Sequence, residues 1–112
     1  MKVLSWNVNS IRVRKDQLLS IIKKENPDII CLQETKIMDN NFPKEILEKK
    51  GYFVYLNGIQ SYNGVAIISK IEANKISSRK FCNQDDARHI QANFKNFSIH
   101  SIYVPAGGDI PD

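Results

Sequence analysis

The sequence predicts an α/β fold that begins with a parallel crossover unit and continues as a largely antiparallel set of strands. Two short apolar runs, at residues 3–6 and 28–32, each stop abruptly at polar side chains. The residues between these runs carry apolar side chains at helical spacing, and alternating segments follow residue 51. Strand, helix and strand in succession indicate a crossover, because parallel neighbours need a long connection.

The first strand and the first helix occupy the N-terminal quarter of the chain. Residues 2–8 form the strand. Ser10 or Asp16 can cap the helix, whose apolar side runs to about Asn26, and Pro27 ends it.

The second strand, at residues 28–33, is almost wholly apolar, so we expect cover on both of its faces. A polar loop follows at residues 39–41. Pro43 suits the first turn of a short helix through about Lys50, and Gly51 supplies the stop.

The second half of the chain changes to short strands separated by turn residues. The predicted strands are residues 52–56, 64–69, 75–80, 89–94 and 97–104. Asn57 and Gly58 provide one turn, and residues 95–96 predict a tight hairpin. Residues 105–112 form a loop after the last strand, and we expect a truncated chain, because no later element covers the open sheet face.

Composition limits the class of protein. The chain has 112 residues, enough for one domain, and its net charge of +4 is compatible with a polyanionic partner without requiring one. Cys31 and Cys82 are too far apart for a metal-ligand motif, and there is no disulfide framework. Ser5 and Asn7 interrupt the N-terminal apolar stretch, which excludes a signal peptide or membrane span there. We therefore expect a soluble, cytoplasmic chain.

Asn7 and Glu34 are the strongest candidates for chemistry. Each follows a predicted parallel strand, and the carboxyl ends of such strands border the crevice where α/β proteins bind ligands. Magnesium takes one or two protein carboxylates and completes its shell with water and substrate phosphate. Alone, Glu34 could be a solvated loop residue and Asn7 a loop cap, but together they favour a metal and phosphate site.

Tyr103 and Arg88 are weaker candidates. Tyr103 ends the last predicted strand, where a phenol can stabilise charge on a phosphate or simply pack. Arg88 opens a strand after Asp85 and Asp86; it can grip a phosphate or pair with an aspartate. Neither His89 nor His100 lies beside a nucleophile in a strained turn, so neither is predicted to be a catalytic base.

Five segments in order resemble the exonuclease III family of DNA-repair enzymes, within the endonuclease/exonuclease/phosphatase superfamily. They are SWNVNSIR, NPDIICLQETK, YNGVAIIS, DDARHIQANF and SIYVPAGGDIPD. The resemblance implies that residues 1–112 are the N-terminal part of a single domain. That domain is a four-layered α/β sandwich, with two mixed sheets face to face and helices outside.

The resemblance also implies a Mg²⁺- or Mn²⁺-dependent phosphodiesterase, monomeric, that acts on duplex DNA at 3′ ends and abasic sites. Glu34 would be the metal ligand, Asn7 would contribute to the metal and phosphate shell, and Tyr103 would contact the scissile phosphate. Lys36 is a weaker candidate. Contacts to the DNA backbone or abasic site would come from Arg12, Tyr62, Asn63, Gly64 and Arg88.

The chain departs from the family pattern in three respects. Ser10 stands where the family more often has a glycine-containing turn, and residues 105–112 differ from the commoner loop. The family's second half supplies an Asp and an Asn that orient the nucleophile and leaving group, a further Asp, and an Asp-His pair, none of which has a counterpart here. We therefore expect little activity from the chain alone.

Two alternative functions remain open. One is a non-catalytic remnant that binds metal or DNA weakly, and the other is a phosphodiesterase of the same superfamily with a lipid substrate.

Overall fold

Seven strands and two α-helices make up the part of the chain that the computed structural model describes, which is residues 1–58, 63–78 and 87–104. A single 3₁₀ turn at Asp39–Asn41 precedes the second helix. In chain order the elements are β1 Val3–Asn7, α1 Ile11–Glu25, β2 Ile29–Gln33, α2 Lys44–Lys49, β3 Phe53–Asn57, β4 Val65–Ser69, β5 Lys75–Ser77, β6 His89–Asn93 and β7 Ser98–Ile102.

The strands form two sheets. The first has the order β1-β2-β4-β3, with β1 and β2 parallel and the other pairs antiparallel. The second has the order β5-β6-β7 and is antiparallel in its described part. The α/β class and the parallel crossover are confirmed. The antiparallel strands divide between the sheets, because β3 and β4 extend the first one.

The core has two layers that share β2 and β4. Ile30 and Leu32 of β2 face the helices, in a cluster with Leu18 and Leu47. Ile29 and Cys31, which alternate with them, pack toward the second sheet. Both faces of β2 are therefore covered, as its continuous apolar sequence predicted.

A polar bridge joins the sheets near the end of β2. Ser101 of β7 is buried, donates a hydrogen bond from Oγ to the carbonyl oxygen of Leu32 at 2.9 Å, and accepts one from Gln33 Nε2 at 3.0 Å. Hydrogen bonding of this kind is how a buried hydroxyl is satisfied. The bridge sets the end of β7 beside the end of β2.

Element ends differ from the predictions by small amounts. Ser10 occupies the cap position of α1, but its φ of 87° and ψ of 107° bring no side-chain cap, and Asn26 ends the helix in the left-handed region. The predicted hairpin is confirmed, since Phe94 N–H donates to Phe97 O at 2.8 Å and leaves residues 95–96 as the loop. The predicted strand at residues 75–80 is observed over Lys75–Ser77, and residues 79–80 lie outside the described ranges.

Neither described α-helix has the length and apolar character needed to cross a membrane.

Candidate active site

The Glu34 carboxylate is the centre of a polar cluster at the carboxyl ends of β1 and β2. Asn7, the last residue of β1, donates a hydrogen bond from Nδ2 to Glu34 Oε1 at 2.9 Å. Its Oδ1 accepts from the Asn9 N–H at 3.1 Å, which fixes the orientation of the amide. The two side chains lie side by side, as the crossover predicted, and Asn7 presents its donor to the carboxylate.

A lysine completes the immediate surroundings of the carboxylate. Lys36 Nζ lies 3.4 Å from Glu34 Oε2 and donates to Asn9 Oδ1 at 2.6 Å. The Asn7 hydrogen bond is the main cause that lowers the pKa of Glu34; partial burial opposes it, and Lys36 and Tyr103 add to the lowering. Glu34 is therefore held as an anion at neutral pH.

Tyr103 reaches the same carboxylate from the second sheet. Its backbone N–H donates to Arg88 O at 2.8 Å, and its phenol interacts with Glu34. Burial, followed by the negative charge of Glu34, raises the pKa of Tyr103, and the positive charge of Arg88 acts in the opposite direction. The phenol is consequently protonated at neutral pH and can donate a hydrogen bond.

Backbone hydrogen bonds connect the loops that carry these residues. The loop after β1 is hydrogen-bonded to the loop after β2, that loop to the one before β4, and the loop before β4 to the one before β6. The links are Ser10 N–H to Glu34 O at 2.8 Å, Lys36 N–H to Asn63 O at 2.8 Å, Thr35 N–H to Gly64 O at 3.1 Å and Gly64 N–H to Ala87 O at 2.9 Å. This chain of contacts brings Asn63, Gly64 and Arg88 to the edge occupied by Glu34.

The same loops contain unusual backbone conformations. Among the described non-glycine residues, every positive φ except that of Asn26 falls in them: Asn9, Ser10, Glu34, Lys36, Asn63 and Ala87. Such conformations cost about 1–3 kcal/mol each and persist where surrounding contacts enforce them, which is characteristic of functional sites. Here the inter-loop hydrogen bonds supply those contacts.

Gly64 is required by its surroundings. Its φ is 94°, and a Cβ at this position would collide with Thr35 Oγ1. Thr35 is itself buried. The packing thus explains the glycine, and a contact between Gly64 and DNA stays a prediction.

Cationic side chains border the cluster on the helix side. Arg12 is exposed in the first turn of α1, where the helix dipole adds positive potential. With Lys15 and Lys36 it lines a cavity of about 370 Å³. A second cavity, of about 860 Å³ between α2 and β3, is lined by none of the predicted site residues. Tyr62 lies outside the described residues.

The donor set suits a hard, partly hydrated divalent cation. Glu34 contributes an ionised carboxylate whose side chain is 20% exposed. No group of three or more His, Cys, Asp and Glu side chains that could hold a metal occurs in the described ranges. A single ionised carboxylate that is partly exposed fits Mg²⁺ or Mn²⁺, which keep waters and bind substrate phosphate, and does not fit a closed structural metal site.

Asn9 and Thr35 belong to the site although the sequence analysis did not select them. Asn9 takes a left-handed φ of 45° and anchors both Asn7 and Lys36. An asparagine two residues beyond a strand end is a recognisable signal for such a turn. Thr35 offers no such signal, because its importance comes from its packing against Gly64.

Comparison with protein families and known proteins gives a consistent result. Residues 4–106 match the Endonuclease/Exonuclease/phosphatase family. The chain is 36% identical over 113 residues to exodeoxyribonuclease III of Haemophilus influenzae, covering 96% of this chain and 42% of that protein. It is 39% identical over 111 residues to an exodeoxyribonuclease of Bacillus subtilis, covering 94% and 43%. The chain thus spans about two-fifths of the length of these relatives.

Solved structures show the same fold. A 3′ phosphatase from Neisseria bound to a product DNA hairpin superposes with a TM-score of 0.86 at 31% identity, covering 92% of this chain and 41% of that one. An AP endonuclease from Archaeoglobus fulgidus gives a TM-score of 0.85 at 36% identity, covering 94% and 41%. The family match, the nuclease relatives and the shared fold establish that this chain belongs to the endonuclease/exonuclease/phosphatase family and resembles its exonuclease III members.

Proposed function

We propose that this edge of the sheets is the metal- and phosphate-binding part of a DNA phosphodiesterase of DNA repair. The activity would be that of a 3′–5′ exodeoxyribonuclease and abasic-site endonuclease. The observation that carries the proposal is the convergence of Asn7 and Tyr103, from different sheets, on the ionised Glu34. The names of the similar proteins, exodeoxyribonucleases and an AP endonuclease, support it.

Glu34 would hold Mg²⁺ or Mn²⁺ in this proposal. A bound divalent ion would neutralise charge on the phosphate oxygens and so act as a Lewis acid. Asn7 orients the carboxylate through the 2.9 Å hydrogen bond and keeps it deprotonated. A direct bond from Asn7 to the ion stays a prediction, because its oxygen already accepts from Asn9.

Tyr103 and Arg88 would act on the phosphate. The Tyr103 phenol keeps its proton at neutral pH and can donate to a non-bridging oxygen as charge develops there. The guanidinium of Arg88, whose charge already acts on Tyr103, can bind a second oxygen in its fork. Together they would position the scissile phosphate over Glu34.

Backbone contacts to DNA would extend outward from this point. Arg12 and its neighbours Lys15 and Lys36 provide positive charge beside the start of α1, where a phosphate is also favoured by the helix N-terminus. Asn63 and Gly64 lie on the loop between β3 and β4. Tyr62 is proposed from the sequence motif alone. Double-stranded DNA with an abasic site is the proposed substrate, and the name of the similar AP endonuclease supports it.

We further propose that the 112-residue chain alone binds metal and DNA more readily than it turns DNA over. Loss of a group that activates the nucleophile usually costs several orders of magnitude in rate. The resemblance implies that such groups lie in the second half of the family domain, and the chain covers 42% of the length of the Haemophilus influenzae relative.

Binding of an abasic-site duplex by fluorescence anisotropy, in Mn²⁺ and in EDTA, tests the proposal. We expect the metal to tighten binding to the wild-type chain. Glu34→Gln should lose that gain, whereas Glu72→Gln, an exposed glutamate changed in the same way, should keep it. Strand nicking, followed in parallel on gels, should be slow, and any nicking detected should be abolished in Glu34→Gln.

Two results would reject the proposed function. The first is an equal metal-dependent gain in Glu34→Gln and in the wild-type chain. The second is binding to phosphoinositide or sphingolipid vesicles with none to duplex DNA, which would favour the lipid phosphodiesterase.

A further inference from the structure

The outer face of the second sheet carries two histidines in contact. In the β6–β7 pair, His89 lies opposite Ile102 and His100 lies opposite Gln91. Ile90 and Ala92 point inward to the cluster between the sheets, so His89 and Gln91 point outward. His89 and His100 are therefore diagonal neighbours on one face, within reach of each other's rings.

The two rings present nitrogen atoms to each other. His89 Nε2 and His100 Nδ1 are 2.9 Å apart, the ring centroids are 5.2 Å apart, and the ring planes are tilted by 35°. His89 is buried and His100 is exposed. This places one buried and one solvent-accessible imidazole side by side.

We propose that His89 and His100 form a binding site for a divalent transition-metal ion such as Zn²⁺, Ni²⁺ or Cu²⁺. Imidazole nitrogen suits these ions and not Mg²⁺, which prefers oxygen. With metal–nitrogen bonds of about 2.0–2.1 Å, the two nitrogens on one ion stand roughly 2.9–3.3 Å apart for right-angled to tetrahedral geometry. The observed separation of 2.9 Å falls in this range, and both rings must rotate so that their lone pairs converge on the ion instead of pointing at each other.

The proton balance of this site is simple. A neutral imidazole carries one hydrogen, and either ring nitrogen can hold it. The ring that donates in the His89–His100 contact coordinates as its other tautomer, with the hydrogen on its far nitrogen. No net proton is released when both rings are neutral, and protons compete with the metal when the pH is low.

The small number of described protein ligands favours an exchangeable ion. No third His, Cys, Asp or Glu side chain joins the pair within residues 1–58, 63–78 and 87–104. Two described protein ligands are fewer than the four that close a structural zinc site. We therefore expect reversible binding.

A metal ion bound to this histidine pair would affect the candidate active site through the two strands that carry Arg88 and Tyr103. Arg88 immediately precedes β6, Tyr103 immediately follows β7, and the Tyr103 N–H donates to Arg88 O. An ion bound by both His89 and His100 would link β6 to β7. The inference does not depend on the proposed nuclease function, because it uses neither Glu34 nor DNA.

Isothermal titration of a tag-free chain with Ni²⁺, in buffer that contains excess Mg²⁺, tests the proposal. We expect one Ni²⁺ per chain and a higher thermal unfolding midpoint with the ion bound. His100→Ala should weaken binding by about tenfold or more, since even outer-shell partners of metal ligands contribute about 10–100-fold. Ser98→Ala, on the same strand and face, should bind as the wild-type chain does.

Glu34→Gln provides the second control and should keep the Ni²⁺ site intact. If the chain with His89→Gln does not fold, the His100→Ala variant still tests the proposal, because His100 is exposed. No binding, equal affinity in the His100→Ala variant, or loss of the site in Glu34→Gln would each overturn the proposal.

Discussion

Thr35 fills the space that a side chain at Gly64 would need. The Thr35 N–H donates to Gly64 O at 3.1 Å, while Thr35 Oγ1 occupies the position of the missing Cβ. Thr35 sits between Glu34 and Lys36, and Gly64 N–H in turn donates to Ala87 O at 2.9 Å. The close approach of Thr35 to Gly64 therefore positions the Glu34 carboxylate relative to both sheets.

Gly64→Ala should destabilise the chain more than Gly51→Ala. Both glycines have φ of 94°, so both variants incur the cost of a left-handed backbone, about 1–2 kcal/mol. A Cβ at residue 51 meets nothing within 4 Å, whereas one at residue 64 meets Thr35. We expect an additional loss of about 1–3 kcal/mol from this overpacking.

Urea unfolding followed by circular dichroism measures both variants of this pair. Equal losses of unfolding free energy would show that Thr35 moves aside without cost.

Asn7→Ala should raise the pKa of Glu34 toward its ordinary value of 4.5. The lowered pKa of the folded state means that Glu34 stabilises the fold above its ordinary pKa. That contribution is lost as the pH falls through the folded pKa. In Asn7→Ala the acid-induced loss of stability attributable to Glu34 should shrink. Carbon-13 NMR titration of the Glu34 carboxyl measures the pKa directly.

Lys36→Met provides the comparison for Asn7→Ala. Lys36 lowers the pKa of Glu34 both through a hydrogen bond and through its positive charge, so its removal should also raise that pKa. An unchanged pKa of Glu34 in Lys36→Met would contradict the contact between Lys36 and Glu34.

Glu34→Gln should lower the pKa of Tyr103. The negative charge of Glu34 and its hydrogen bond to the phenol both raise that pKa, while burial, the largest cause, remains in the variant. The pKa should therefore fall and still exceed the ordinary value of 10.0. NMR titration of the Tyr103 ring carbons measures it, with Glu72→Gln as a control of equal charge change. An unchanged pKa in Glu34→Gln would contradict the contact between the two sheets.

Cys31 should be inert in the folded chain. Burial raises the pKa of its thiol to about 11. At pH 7 only about one thiol in ten thousand is then the reactive thiolate. In a Cys82→Ser background, a disulfide reagent should modify Cys31 orders of magnitude more slowly in buffer than in urea. Fast modification of the native chain would show that the layer between the sheets opens readily.

The sequence predicted the crossover and the pairing of Asn7 with Glu34 for a physical reason. Apolar spacing identifies strands and helices, and a parallel crossover places both strand ends on one edge. The division of the later strands between two sheets could not be predicted this way. β4 is almost wholly apolar and β6 mixes polar and apolar residues, but neither pattern specifies a partner strand, and only packing determines which sheet each one joins.

By itself, the sequence therefore determined the α/β class, the edge that carries Glu34 and the resemblance to nucleases, because these follow from local patterns and ordered motifs. The tertiary structure decided which atoms meet there. Tyr103 reaches Glu34 because the sheets pack face to face, and Gly64 accommodates Thr35 because their loops are hydrogen-bonded. Contacts between residues far apart in the chain depend on the packing of whole layers, which no short segment encodes.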